Sequence, residues 1–145
     1  MKSQAFISKA DTEQIVKAIE SAELNTSGEI RVHIEGLCPA DPVSRAVYIF
    51  NKIKMYKTQE RNGVLIYIAY KSKKFAIIGD TGINAVVPPD FWNGVKESLG
   101  EYLRKGEVAG GISVAIEMAG ENLKKFFPYK SDDKNEQSNE ISFGE

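Results

Sequence analysis

A single cysteine in 145 residues, Cys38, excludes an intramolecular disulfide and a cysteine-rich zinc site. A single histidine, His33, excludes a metal centre built on paired imidazoles. It is also the only imidazole that could activate Cys38, so the cysteine reads as a small filler after a strand rather than a nucleophile. No run of Lys and Arg is interleaved with aromatics, so nothing points to nucleic acid. No segment reaches the roughly 18 apolar residues that span a bilayer, and the opening MKSQAFISKADTEQ has no apolar signal core. A phosphate-cradling glycine loop ending in Lys-Ser/Thr is missing, as is a Ser-His-Asp set. These absences lead us to expect a soluble, cytoplasmic protein with no membrane span and no nucleic-acid partner.

What is present fits one globular domain. Hydrophobic residues make up 42% and charged residues 27%, enough for a core without covalent staples. The net charge of −1 is unevenly spread. From Tyr129 onward five acids (Asp132, Asp133, Glu136, Glu140, Glu145) face two lysines, which leaves the body mildly positive. We therefore expect a domain over residues 1–128 and an acidic, mobile tail over 129–145, in which only Ile141 and Phe143 could pack.

Periodicity predicts four helices and three strands. The first helix starts near Ser8 or Asp11, with Asp11 as a candidate cap and Ile15, Ile19 and Ala22 at helical spacing. Glu29 to Glu35 alternates strictly, with Ile30, Val32 and Ile34 on one face, as in a half-covered strand. Asp41-Pro42 opens a second helix with a stripe of Val43, Val47, Phe50 and Ile53. Gly63 to Tyr70 is an apolar run too short for a helix and reads as a central strand. Lys71 to Lys74 is a solvated turn that leads into an antiparallel strand, Phe75 to Gly79. A third helix follows with Pro88 or Pro89 in its first turn and Phe91, Val95, Leu99 and Tyr102 inward. A fourth runs from Glu107 to Phe126, where Gly110 and Gly111 permit close packing against the sheet. The economical architecture is α/β, a three-layer α/β/α sandwich around a small mixed sheet in which the first two strands are parallel.

That topology sends several polar side chains to one end of the sheet. Glu29 opens the first strand, Arg61 and Asn62 precede the second, and Asp80 follows the third. Asp80, Asn84 and Asp90 share one loop, and oxygen ligands of this kind suit a hard cation, Ca²⁺ or Mg²⁺. The expected site thus has Asp80, Glu29, Asn84 and Asp90 as metal ligands, with Arg61 and Asn62 facing a substrate phosphate. Each also has a plain structural role available: Asp80 as a turn cap beside Gly82, Asn84 in a turn, Asp90 at a helix start. Asp80-Thr81-Gly82 has the form of an aspartic-protease triplet, but that chemistry needs two copies and an all-β fold. His33 and Trp92 read as structural.

Four landmarks, Ser27-Gly28-Glu29-Ile30-Arg31-Val32, Asn62-Gly63-Val64-Leu65-Ile66, Gly79-Asp80-Thr81-Gly82-Ile83-Asn84 and Gly106 through Gly110-Gly111-Ile112, make residues 5–128 similar to the TPM domain family. The resemblance implies an α/β/α sandwich and, for some members, an acid-phosphatase-like activity with a divalent metal, usually calcium, near the sheet-edge loops. Other members resemble assembly or repair factors. Many members read Gly-Tyr-Gly-Leu-Glu where this chain has Gly79-Asp80-Thr81-Gly82-Ile83-Asn84, so one residue is inserted and Asn84 replaces a glutamate. The expectation is a divalent-cation-binding module with weak phosphatase-like activity toward a phosphorylated small molecule. The alternative is a non-enzymatic module that holds a protein partner through the sheet-edge loops or the acidic tail.

Overall fold

In the computed structural model, which describes residues 6–130 and 136–144, helix α1 spans Lys9–Glu23. The start of the expected domain (1–5) and part of the expected tail (131–135 and Glu145) lie outside the described residues. Ser8, not Asp11, caps α1: its hydroxyl accepts the Asp11 N–H at 3.0 Å. Asp11 falls in the first turn, where its charge suits the helix dipole. Strand β1 (Glu29–Glu35) pairs in parallel with β2 (Gly63–Ala69), from Glu29 opposite Gly63 to Glu35 opposite Ala69. Strand β3 (Lys74–Gly79) returns antiparallel to β2.

Helix α2 (Pro42–Lys52) begins as expected, with Asp41 accepting the Val43 and Ser44 N–H groups. Its buried stripe differs from the expected one. Ala46, Ile49 and Phe50 face inward, whereas Val43 and Val47 are exposed, because the helix lies rotated so that the small Ala46 meets the sheet. The two faces of β2 are both covered. Val64, Ile66 and Ile68 pack with residues of α1 and of two later helices, α4 (Asn93–Arg104) and α5 (Val108–Lys124). Leu65, Tyr67 and Ala69 pack with α2. The fold is α/β around a mixed sheet, as expected.

Between β3 and α4 lies a short helix absent from the sequence reading, α3 (Thr81–Asn84), capped by Asp80. Pro88 and Pro89 precede α4 rather than entering it; a turn in which the Phe91 N–H reaches Pro88 and the Asn93 N–H reaches Asp90 sets its start at Asn93. Gly111 permits close packing, but against α4 instead of the sheet: a Cβ there would lie 2.5 Å from the Tyr102 Cβ.

A fourth strand, β4 (Ser142–Phe143), completes the order β3-β2-β1-β4 and runs parallel to β1, with His33 opposite Ser142 and Ile34 opposite Phe143. The expectation of a tail apart from the fold is corrected for residues 136–144. Ile141 joins the main core, Gln137 is buried, and the Gly144 N–H donates to the Ile34 carbonyl at 2.8 Å. The cause lies in β1, whose outer edge and polar face would otherwise stay uncovered. That face is not half-solvated as the alternation suggested: Glu29, His33 and Glu35 are all buried.

Glu35 is the centre of this buried polar face, at 1% exposure. Arg45 of α2 grips it through Nε at 2.7 Å and Nη2 at 2.9 Å, and the Tyr67 hydroxyl donates at 2.5 Å. His33 donates from Nε2 at 3.2 Å, and with its proton there Nδ1 accepts from the Ser142 hydroxyl at 2.8 Å. Burial alone would push the Glu35 carboxyl up, but the hydrogen bonds from Arg45, Tyr67 and His33 outweigh it and hold it at about 2. Burial likewise lowers the His33 pKa against the pull of Glu35 and raises that of Tyr67, where the bond to Glu35 adds to it.

Two outcomes follow from this packing. Gly111→Ala gains about 1 kcal/mol in helix propensity but meets a β-carbon that cannot swing away, at a cost of about 1–3 kcal/mol. Urea unfolding should therefore show a net loss, and an unchanged or raised midpoint would contradict the close α4–α5 approach. For Glu35, a pKa depressed from its ordinary 4.5 to about 2 gives stability that is complete above pH 4.5 and is lost as pH falls toward 2. The loss amounts to about 3 kcal/mol. A carboxyl ¹³C NMR titration should place the Glu35 midpoint near the lower value; a midpoint near the ordinary one would refute the clamp.

Candidate functional site

Strand direction brings three of the expected residues to one end of the sheet. β1 and β2 both begin there and β3 ends there, so Glu29, Asn62 and Asp80 all flank Gly63. The Glu29 N–H donates to the Asn62 carbonyl at 3.3 Å, and the Asp80 N–H donates to the Gly63 carbonyl at 2.9 Å. With strands about 4.8 Å apart, the Glu29 and Asp80 backbones are separated by about 10 Å.

Asp80 is buried and fully engaged. Arg61 donates to it twice, from Nε at 2.7 Å and Nη2 at 2.9 Å, and the Thr81 N–H adds a third bond at 2.7 Å as the cap of α3. Two backbone features impose this pairing. Arg61 adopts φ 50°, in the left-handed region, and Gly82 approaches it so closely that a Cβ would lie 2.0 Å from the Glu60 carbonyl oxygen. The Gly82 N–H donates to the Arg61 carbonyl at 2.9 Å. The glycine of Asp80-Thr81-Gly82 is thus required by a backbone contact, and its aspartate serves an ion pair and a helix cap.

Alternation along the strands parts the remaining residues. Glu29 points to the α2 face, where its Oε1 accepts the Gln137 N–H at 2.8 Å. The Asn62 side chain turns the other way, toward Ser27 (3.4 Å) and Glu60 (3.5 Å), with Ser27 held by the Phe127 carbonyl. Its Oδ1 is buried without a hydrogen-bond partner. Asn84, at the exposed end of α3, donates its amide to the Gly79 carbonyl at 3.1 Å. Asp90 is exposed in the turn before α4, and no hydrogen bond or ion pair joins it to Glu29, Asn62 or Asp80. Asp80, Glu29, Asn84 and Asp90 therefore do not form one coordination shell, and among the described residues no three His, Cys, Asp or Glu side chains gather to hold a metal. A cation at Asp80 would have to displace Arg61.

Glu23 was missed in the sequence because it lies at the end of a helix, seven residues before its partner. Its Oε2 accepts the Ile30 N–H at 3.0 Å, which sets the carboxylate beside Glu29 at the start of β1. Burial pushes the Glu23 carboxyl up to about 8, with the Glu29 charge adding to the rise and the Ile30 bond opposing it. Glu60 is a further carboxylate at this end, accepting from the Ser27 hydroxyl at 3.0 Å and facing Lys130 at 3.5 Å. Cys38 packs at the margin of the α2 cluster and donates its thiol to the Ala40 carbonyl.

Comparison with known proteins agrees with the landmarks. The TPM domain family matches residues 1–122. The solution structure of the BA42 protein from the psychrophilic bacterium Bizionia argentinensis is 45% identical to this chain, covers 96% of each chain and superposes with a TM-score of 0.91. The N-terminal domain of the cg2496 protein from Corynebacterium glutamicum shares the fold alone, at 17% identity and a TM-score of 0.66 over 81% of this chain and 74% of that one. No curated protein matched. With a family match over most of its length and a close relative along nearly all of it, this chain belongs to the TPM domain family.

Proposed function

We propose that the chain acts as a binding module rather than as a phosphatase. The observation that carries this reading is Asp80, the carboxylate best placed to ligate a metal or move a proton, with both oxygens already held by Arg61 and Thr81. General acid or base work requires a group that can exchange its proton with substrate, and this one is committed to a guanidinium. Arg61 in turn spends Nε and one Nη on Asp80, which leaves a single terminal nitrogen for a phosphate.

A cation-binding reading, Ca²⁺ or Mg²⁺, is favoured by a different observation, the like-charged pair Glu23 and Glu29. At pH 7 burial and mutual repulsion keep Glu23 protonated, and a hard divalent cation would offset both. Two carboxylates with water completing the shell suit Mg²⁺, or Ca²⁺ at modest affinity. In this reading the metal supplies charge neutralisation at the start of β1, and the sheet-end loops hold a partner rather than turn over a substrate.

Titration of the full chain with either metal to millimolar concentration should raise the melting temperature. The rise should vanish in Glu23→Gln and Glu29→Gln and persist in Asp80→Asn, each measured against its own metal-free baseline. No rise in the parent protein would sink the cation reading, and loss of the rise in Asp80→Asn alone would restore Asp80 as the ligand. For catalysis, any hydrolysis of 4-nitrophenyl phosphate should be unaffected by Asp80→Asn and Arg61→Gln. Hydrolysis abolished by both substitutions would overturn the non-catalytic reading.

A further inference from the structure

The opposite end of the sheet holds a feature that the sheet-end carboxylates do not explain. Where β2 finishes and β3 begins, a cleft of ≈ 450 Å³ opens between the hairpin and the C-terminal half of α4. Its size lies within the range of small-molecule sites. The interior is apolar and partly aromatic: Phe6 and Tyr70 stack face to face, with centroids 4.0 Å apart and planes 5° from parallel, and Phe75 and Leu103 continue the wall.

Its rim carries charge of one sign. Lys73 of the turn and Arg104 near the end of α4 line the opening, whereas Lys74, the first residue of β3, pairs with Ala69 on the α2 face and acts on Asp41. Among the described residues no acidic side chain lines the opening. Neither Lys73 nor Arg104 forms an ion pair within 4.0 Å among the described residues. Two cations over a low-dielectric wall concentrate positive potential at the opening. The turn that presents Lys73 is itself held in an uncommon shape, with Lys73 at φ 55°.

Gly100 contributes to the opening. It lies inside α4, where glycine costs about 1 kcal/mol relative to alanine. Packing does not require it: a Cβ there would meet only the tip of Arg104, at 3.3 Å, and the Phe75 ring, at 3.6 Å. The missing side chain instead leaves the cleft open between that guanidinium and that ring.

We propose that this cleft binds a small amphipathic anion, a flat apolar body lying against the Phe6–Tyr70 and Phe75 walls with one carboxylate or phosphate head at Lys73 and Arg104. The inference is independent of the proposed function, since it uses none of the residues at the Glu29 end. Recognition is by shape inside and charge at the rim, so affinity falls as salt rises. Each rim cation contributes about fivefold in affinity.

Amide NMR titration of the full chain with 2-naphthoate tests the site, with 2-naphthyl phosphate and uncharged 2-naphthalenemethanol run in parallel. Saturable shifts should map to the hairpin turn and the C-terminal half of α4, with the neutral analogue at least about tenfold weaker. The tighter of the two anions identifies the preferred head. Arg104→Gln and Lys73→Gln, both exposed and safe for folding, should each weaken binding by about fivefold. Gly100→Leu should fill the cleft and abolish binding while leaving the spectrum folded, and Asp80→Asn should change nothing. Absence of saturable shifts, equal binding of the neutral analogue, or undiminished binding to a folded Gly100→Leu variant would each overturn the proposal.

Discussion

Removal of the Glu35 carboxylate from water sets a demand that four segments of the chain combine to meet. An ionised carboxylate at 1% exposure would be several kcal/mol unfavourable if left alone, so its oxygens must be satisfied from within the fold. Arg45 supplies a forked grip from α2, Tyr67 a hydroxyl from β2 and His33 an imidazole from β1 itself. The histidine then recruits Ser142, and with it the strand that closes the sheet edge. A buried pair of this type adds little net stability over an apolar replacement, but loss of one partner costs about 3–5 kcal/mol. The network ties α2, β2 and β4 to β1 through one carboxylate.

The same device appears at the other end of the sheet, where Arg61 grips Asp80 with the same two-nitrogen geometry. In each case a buried carboxylate on the α2 side of the sheet is clamped by an arginine from a neighbouring segment. This parallel bears on function. Carboxylates that stand out in the sequence, on strands and beside glycines, are the ones the fold consumes for its own assembly. Glu23 meets a like charge in Glu29 where the other two meet a guanidinium, and its carboxyl is raised where that of Glu35 is lowered.

Much of the fold is legible in the sequence because local rules and packing agree there. Asp41-Pro42 starts α2, the unbroken apolar run of β2 is covered on both faces, and the Lys-rich turn reverses the chain into β3. The errors occur where a tertiary partner decides. Alternation in β1 looks half-solvated only if nothing covers Glu29, His33 and Glu35, and the cover is the segment whose acidic composition suggests a tail. The α2 stripe shifts because Ala46 is small, a property that hydrophobicity patterns undervalue. For the candidate site, convergence of Glu29, Asn62 and Asp80 follows from strand direction alone. Their separation onto opposite faces, and the claim of Arg61 on Asp80, depend on a positive φ and a glycine contact that sequence does not display.

The glycines draw the remaining distinction. At Gly82, Gly111 and Gly144 an added Cβ would strike a backbone oxygen at 2.0 Å, the Tyr102 Cβ at 2.5 Å and the Glu35 carboxylate at 2.7 Å. Each is thus accounted for by the close approach of two segments. Gly100 has no such cause, since the nearest atom is the mobile end of Arg104. A helix that tolerates glycine without a steric reason gives up stability at that point, and small gains of this kind are readily available to natural sequences. At Gly100 the space left lies beside the Phe75 ring and the Arg104 guanidinium. The Glu35 end of the sheet, where Arg45 already holds the buried carboxylate, is also the end where this space is left.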